Sequence, residues 1–145
     1  MPLGQALALS PATGGASSLA TLFAARSTGR WQPGGAGRAV TTTTDAGRSC
    51  LEFAWDSTQA DACSWRCPLT LDLREALFLG AWTRVPDDSP VSQIELAFLG
   101  DGGRYVLPLR SRKGWQRTWT MRDNCEPVGE VKGWDRIDGI EITAR

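Results

Sequence analysis

The chain has 145 residues, with 16 basic and 16 acidic side chains, no histidine and a pI near 6.2. This length suits one domain, or one domain with a tail, and such a domain buries enough surface to fold without a metal. The absence of histidine excludes Ser-His-Asp and Cys-His catalysis and histidine-ligated zinc, and the balanced charge argues against a nucleic-acid partner.

Residues 1–28 differ in composition from the rest of the chain. They are mostly Ala, Ser, Thr, Leu and Gly, and Arg26 is their one charged side chain. A secretory signal would place a basic residue before a continuous apolar run, whereas Ser10, Pro11 and the 14–15 glycine pair interrupt this one. We expect a poorly ordered tail, a linker or a misassigned start, with a degenerate export signal as the alternative. No stretch approaches the ~20 apolar residues of a membrane span.

The four cysteines, Cys50, Cys63, Cys67 and Cys125, leave their chemistry open. Only Cys63 and Cys67 have the short spacing of a zinc knuckle, and a second short pair is missing from the sequence. Zinc is therefore disfavoured. Two disulfides in an exported protein and four reduced thiols both remain compatible with the spacing.

Residues 29–145 are expected to form one domain, because period-two alternation recurs along this part of the chain. Apolar residues alternate with polar or small ones over 51–55, 69–73, 94–98 and 140–142, and with a mixed set that includes other apolar residues over 77–82 and 105–109. Successive side chains of a strand point to opposite faces, so each run predicts a strand with one apolar face.

Turn residues separate these runs. The Asp101-Gly102-Gly103 sequence predicts a hairpin between two of them, and the Pro86–Pro90 segment predicts a longer turn. Pro108 inside a strand pattern predicts an edge or a bulge. About seven or eight short strands without a convincing helix indicate an all-β antiparallel β-sandwich preceded by the 1–28 tail.

The order of these strands resembles the galactose-binding-like jelly-roll. The residues that carry the resemblance are Cys50–Trp55, Pro68–Leu73, Phe78–Trp82, Gly114–Arg117 and Gly133–Ile142. The resemblance covers 29–145 and implies a jelly-roll sandwich similar to the carbohydrate-binding modules of polysaccharide-active enzymes. It also implies that a structural calcium can be held, although no other cofactor is required. The same fold serves lipid-binding, protein-binding and assembly-factor roles, so it does not fix the function.

Seven tryptophans in a small β domain suggest platforms for sugar rings, because a sugar's C–H face lies well on an indole. Strand parity and turn position place Trp55, Trp115 and Trp134 in the core. The expected exposed platforms are Trp82, Trp119 and Trp65, the last in a loop-rich stretch bracketed by Cys63 and Cys67.

Four charged residues are expected on the outer face of the sandwich as cross-strand neighbours: Arg84, Glu95, Arg104 and Arg117. They form either the polar rim of a glycan site or an ordinary solvated charge ladder. Together with the three platforms, the arginines complete the candidate ligand-binding set of Trp65, Trp82, Arg84, Arg104, Arg117 and Trp119.

The sequence gives weaker evidence for a calcium site and for catalytic residues than for a glycan-binding surface. Aspartates are frequent in the predicted turns, but aspartate is also an ordinary turn residue and no EF-hand spacing exists. Glycosidase chemistry needs two carboxylates facing one cleft, and the sequence fixes no such pair. It also contains no nucleophile elbow or phosphate loop.

The sequence therefore favours a non-catalytic carbohydrate-binding module, extracellular or at the cell surface, that binds a polysaccharide or oligosaccharide. Such a module is expected to be an accessory to a larger enzyme or surface protein. The alternative is a structural or protein-interaction sandwich, similar to an assembly factor, that binds no glycan.

Overall fold

A computed structural model describes residues 4–10, 30–45, 48–56, 58–87 and 89–145. Within these ranges the chain forms eleven strands and no α-helix. The strands are β1 Gly4–Ser10, β2 Gln32–Pro33, β3 Thr41–Asp45, β4 Arg48–Asp56, β5 Cys63–Leu71, β6 Phe78–Val85, β7 Ile94–Gly100, β8 Gly103–Leu109, β9 Gly114–Met121, β10 Glu126–Gly129 and β11 Ile137–Ala144. A 3-10 turn at Arg122–Asn124 joins β9 to β10.

The strands form two antiparallel sheets that pack face to face. One sheet has five strands in the order β3-β4-β1-β6-β9, and the other has six in the order β10-β8-β7-β11-β5-β2. Each strand pair within the two sheets is antiparallel. The predicted all-β antiparallel sandwich is confirmed.

The period-two pattern correctly predicts which residues fill the space between the sheets. Leu51, Phe53 and Trp55 on β4 are buried, as are Ile94, Leu96 and Phe98 on β7. Leu79, Ala81, Leu107, Leu109, Ile140 and Ile142 follow the same alternation, whereas Cys50, Ala97 and Glu141 are buried at positions of the opposite parity. Hydrophobic burial on this pattern is what holds the two sheets together.

Two turn predictions are also confirmed. Asp101 and Gly102 form the tight turn of the β7–β8 hairpin, and Gly102 has a φ of 79° that favours glycine. Pro108 pairs with Glu95 of β7 on one side, whereas the register of β10 along β8 ends at Val106. Proline is tolerated at this point because its missing N–H faces an unpaired edge.

An aromatic cluster connects the two sheets at one end of the core. The Phe53 ring on β4 contacts Trp65 on β5 edge-to-face, with ring centroids 5.4 Å apart, and Trp31 and Trp55 pack beside this pair. The buried indole N–H groups are satisfied, because Trp65 Nε1 donates to Arg38 O and Trp55 Nε1 donates to Ala60 O. The core position predicted for Trp55 is confirmed.

Trp134 closes a second part of the core beneath the segment that precedes β11. Its ring stacks on Tyr105 at 3.9 Å and meets Phe98 edge-to-face at 5.5 Å. The Trp134 carbonyl accepts a hydrogen bond from Leu73 N, and Tyr105 Oη accepts one from Gly133 N. Trp134 is buried, as predicted for a residue that plugs the core under a loop.

Part of the segment predicted to be a tail forms a strand. Residues 4–10 are β1, which lies between β4 and β6 and is antiparallel to both. The remaining residues of that segment lie outside the described ranges, so the domain boundary expected at 28/29 stays a prediction. Within the described part of the chain, no helix is long and apolar enough to cross a membrane.

All four cysteines are buried free thiols. Burial raises the pKa of Cys63 and of Cys67, and it raises the pKa of Cys125 to about 11. A thiol is nucleophilic as the thiolate, so these three side chains are protonated and unreactive at neutral pH.

We therefore expect the native protein to react with Ellman's reagent on the order of 100-fold more slowly than the unfolded chain, because access requires opening of the core. Parallel absorbance time courses in buffer and in guanidinium chloride would measure the two rates. Rapid modification of any thiol in the native state would contradict the burial of these side chains.

Candidate ligand-binding face

The pairing of β6 with β9 brings most of the predicted ligand-binding residues together. The register sets Trp82 opposite Arg117 and Arg84 opposite Trp115. Because Leu79, Ala81, Thr83 and Val85 are buried, the alternate residues point away from the core. We call their surface the β6–β9 face, which consists of Phe78, Gly80, Trp82, Arg84, Trp115, Arg117, Trp119 and Met121.

Aromatic and apolar groups are exposed at one end of this face. Phe78 is 46% exposed, Trp119 is 39% exposed and Met121 is 51% exposed, whereas Trp82 and Trp115 are half-buried. Leu77, just before β6, is exposed as well. A cluster of large exposed apolar side chains on a small domain is a common mark of a binding surface.

The Trp119 side chain is held by an aromatic ring and a cation. The Phe78 ring lies nearly parallel to it, with an interplanar angle of 8° and centroids 6.0 Å apart. The Arg117 guanidinium carbon lies 4.7 Å from the centre of the Trp119 ring. A cation–π contact of this exposed kind contributes roughly 0.5–1 kcal/mol, which helps to fix the orientation of the indole.

Gly80 leaves the space that the Trp119 ring occupies. Gly80 and Trp119 are directly opposite in the β6–β9 register. A Cβ atom built on Gly80 would lie 2.5 Å from Cε3 of Trp119 and closer still to the Thr118 carbonyl oxygen. An aromatic ring that covers a cross-strand glycine is a recognised stabilising pair in sheets.

Replacing Gly80 by alanine is therefore expected to displace the Trp119 ring and to lower the free energy of unfolding by roughly 1–3 kcal/mol, as overpacking does. Gly100→Ala is the matched control, because Gly100 is also a strand glycine and its nearest neighbour would be 3.6 Å from the new Cβ. Urea unfolding of both variants would measure the difference. Equal stability of the two variants would contradict the packing described for Trp119.

Trp65 is not an exposed platform, so that prediction is wrong. The side chain has 0% exposure and lies at the centre of the aromatic cluster between the sheets. The sequence pattern suggests a loop between Cys63 and Cys67. In the structure these three residues share the inward face of β5 and are all buried.

The four charged residues expected on one outer face lie on two different sheets. Arg84 and Arg117 are on the five-stranded sheet, whereas Glu95 on β7 and Arg104 on β8 belong to the six-stranded sheet. The prediction that these four residues are cross-strand neighbours on one outer face is therefore wrong. Parity along a strand identifies its outward residues but does not reveal which sheet the strand joins.

Trp115 also differs from expectation. Its predicted core position is wrong, because it is half-buried on the outward side of β9, opposite Arg84. The β6–β9 face thus carries Trp115 in addition to Trp82 and Trp119, two of the three platforms expected from the sequence. Phe78 and Gly80 are absent from the predicted set, although their alternation with Leu79 and Ala81 is visible in the sequence.

Arg104 holds a buried carboxylate instead of contributing to this face. Its Nη1 donates to Glu141 Oε1 at 2.6 Å, and Arg66 Nη2 donates to Glu141 Oε2 at 3.1 Å. Glu141 is 9% exposed on β11 and lies opposite Ala97 of β7, the strand between β11 and the β8 strand that carries Arg104. Two arginines compensate the cost of burying one carboxylate, which indicates a structural role for Arg104.

Acidic and thiol side chains do not gather into a metal site among the residues that the structure describes. Across these ranges, no three Cys, Asp or Glu side chains approach one another closely enough to hold a metal ion. The structural calcium implied by the resemblance therefore stays a prediction.

Comparison with known proteins gives no match among protein-family models, curated proteins or solved structures. The resemblance to galactose-binding-like modules accordingly rests on the residue pattern alone, while the antiparallel β-sandwich rests on the structure.

Proposed function

We propose that this protein is a non-catalytic carbohydrate-binding module that binds a polysaccharide or oligosaccharide on the β6–β9 face. The observation that carries the proposal is the exposed Trp119 ring, parallel to Phe78 and in contact with Arg117. An indole offers a wide apolar surface at low entropic cost, and the adjacent guanidinium offers hydrogen bonds to ring hydroxyls.

The proposed ligand-binding residues are Trp82, Arg84, Arg117 and Trp119 from the sequence-derived set, with Phe78 and Trp115 added. Trp65 and Arg104 are removed, because the first is buried in the core and the second is paired with Glu141. The proposal includes a location outside the cell or at its surface. It also includes attachment to a larger enzyme or surface protein.

Affinity electrophoresis tests the proposal directly. Native gels are cast with and without soluble neutral and acidic polysaccharides, in calcium and in EDTA, and the migration of the protein is compared with that of an unrelated protein. Selective retardation by one class of polysaccharide is the expected result. Unchanged migration of the folded protein in every gel would contradict the proposal, and a calcium requirement would support the predicted metal site.

A protein-interaction sandwich is the second candidate, and one observation favours it. β9 lies at an edge of the five-stranded sheet, next to the exposed Leu77, Phe78 and Met121. An exposed edge strand can accept a strand from another chain, and apolar neighbours would strengthen that contact. Substitutions distinguish the two functions. A glycan-binding module loses polysaccharide binding when outward side chains of the β6–β9 face are replaced, and keeps it when the exposed edge of β9 is altered.

A further inference from the structure

The β6–β9 face is positively charged as well as aromatic. Arg84 and Arg117 point outward from it, and neither β6 nor β9 contains an aspartate or a glutamate. Each arginine lies directly opposite a tryptophan, so cationic and aromatic side chains alternate in both directions across the face.

Arg117 is well placed to bind an anion. Its guanidinium lies over the Trp119 ring, and it forms no ion pair with any acidic residue that the structure describes. Arg66 and Arg104 on the other sheet differ, since both are paired with Glu141. A guanidinium that stacks on a ring keeps its in-plane N–H groups available for bidentate contact with a carboxylate or a sulfate.

Glu52 is too distant to neutralise Arg117. Glu52 on β4 is in register with Ala8 of β1 and, through it, with Arg84 of β6. Arg117 is one strand further away, so about three strand spacings, or roughly 14 Å, separate it from Glu52. That separation exceeds the Debye length of roughly 8 Å at physiological ionic strength.

The connection between β8 and β9 adds net positive charge at the end of the β6–β9 face where Trp115 lies. Arg110 and Arg112 are exposed there, and Lys113 Nζ donates to the carbonyl oxygens of Pro86 and Ser89. Asp87 lies in the turn that Lys113 contacts, and Asp87 together with Asp88, which follows it in the sequence, offsets part of this charge.

We infer that the glycan bound by the β6–β9 face is acidic, carrying carboxylate groups of uronic acids or sulfate esters. The inference rests on the proposed function and adds the chemical class of the ligand. Charge complementarity selects an anion, and the exposed aromatic rings select one that also presents C–H faces. A nucleic acid fits less well, because the protein has zero net charge and such binding depends on many phosphate contacts.

The test compares polymers that differ only in charge. Affinity gels contain polygalacturonate or its fully methyl-esterified form, dextran sulfate or dextran, and alginate or hyaluronan as further uronates. We expect at least about tenfold tighter retention by an acidic polymer than by its neutral counterpart, with retention falling as salt is raised. The uronate and sulfate gels identify which anionic group is bound.

Single substitutions identify the residue that is responsible for the preference for acidic polymers. Arg117→Gln is expected to remove most of the preference for the acidic polymer, while Arg117→Lys keeps part of it because the charge remains without the planar fork. Arg136→Gln is the matched control, since Arg136 is 80% exposed and directly precedes β11 of the opposite sheet, where loss of a surface ion pair costs little. Circular dichroism would verify that each variant is folded.

The outcomes separate this inference from the proposed function. Equal retention by charged and neutral polymers, unaffected by Arg117→Gln, would overturn the acidic ligand and leave a neutral-glycan module. No retention by any polymer would overturn both. Tighter binding to single-stranded oligothymidylate than to every glycan would also overturn both, in favour of a nucleic-acid ligand.

Discussion

Trp119→Ala is expected to weaken glycan binding by roughly 10- to 100-fold, because truncation of an aromatic binding residue typically costs about 1.5–3 kcal/mol. The substitution removes the exposed indole, the parallel contact with Phe78 and the surface on which the Arg117 guanidinium lies. Since Trp119 points outward and is 39% exposed, the free energy of unfolding should fall by only about 1–2 kcal/mol, from the lost contacts with Phe78 and Arg117. Affinity gels and urea unfolding measure the two quantities separately.

Val128→Ala is the control for this experiment. Val128 is 47% exposed on β10, which is an edge strand of the other sheet. The Val128→Ala variant should bind the glycan as the unsubstituted protein does. Unchanged binding by a folded Trp119→Ala variant would show that the ligand does not contact the β6–β9 face.

Trp65→Ala is expected to lower the free energy of unfolding by about 3–5 kcal/mol, as truncation of a fully buried aromatic residue does. The variant loses the edge-to-face contacts with Phe53 and Trp55 and leaves the Arg38 carbonyl without the indole donor. Because domains of this kind are stable by about 5–15 kcal/mol, much of the native stability is lost. Urea or thermal unfolding followed by circular dichroism provides the measurement.

Trp65→Phe separates packing from hydrogen bonding at this site. It retains an aromatic ring between the sheets but not the donor to Arg38, so its loss should be smaller than that of Trp65→Ala. A change of less than about 1 kcal/mol in Trp65→Ala would be too small for a core tryptophan. It would indicate that Trp65 is exposed in solution, as the interpretation of this segment as a loop predicts.

The sandwich can be predicted from the sequence because its physical signal is local. Alternation such as Leu51, Phe53 and Trp55 against Glu52 and Ala54 appears within one strand and needs no knowledge of its neighbours. The Asp101-Gly102 turn is equally local. The same alternation extends to Cys63, Trp65 and Cys67, and the wrong prediction for Trp65 comes from interpreting a strand as a loop.

The candidate site can be predicted only in part, because it depends on how strands pair. Trp82, Arg84, Arg117 and Trp119 are identifiable as outward residues, and their proximity follows from the β6–β9 register. That register is a long-range property, as is the assignment of Arg104 to the other sheet. The buried Glu141 that pairs with Arg104 could not be anticipated, since the two residues are 37 positions apart.

Titration of the ¹⁵N-labelled protein with an acidic oligosaccharide, followed by NMR of the indole N–H signals, tests the central claim most directly. The chain has seven tryptophans, so up to seven indole N–H signals are expected, and single Trp→Phe substitutions would assign them. Binding on the β6–β9 face should shift those of Trp82, Trp115 and Trp119 and leave those of Trp31, Trp55, Trp65 and Trp134 in place. Saturable shifts confined to the second group, or no shift of any indole under conditions where binding is measured independently, would contradict the assignment of this face as the glycan site.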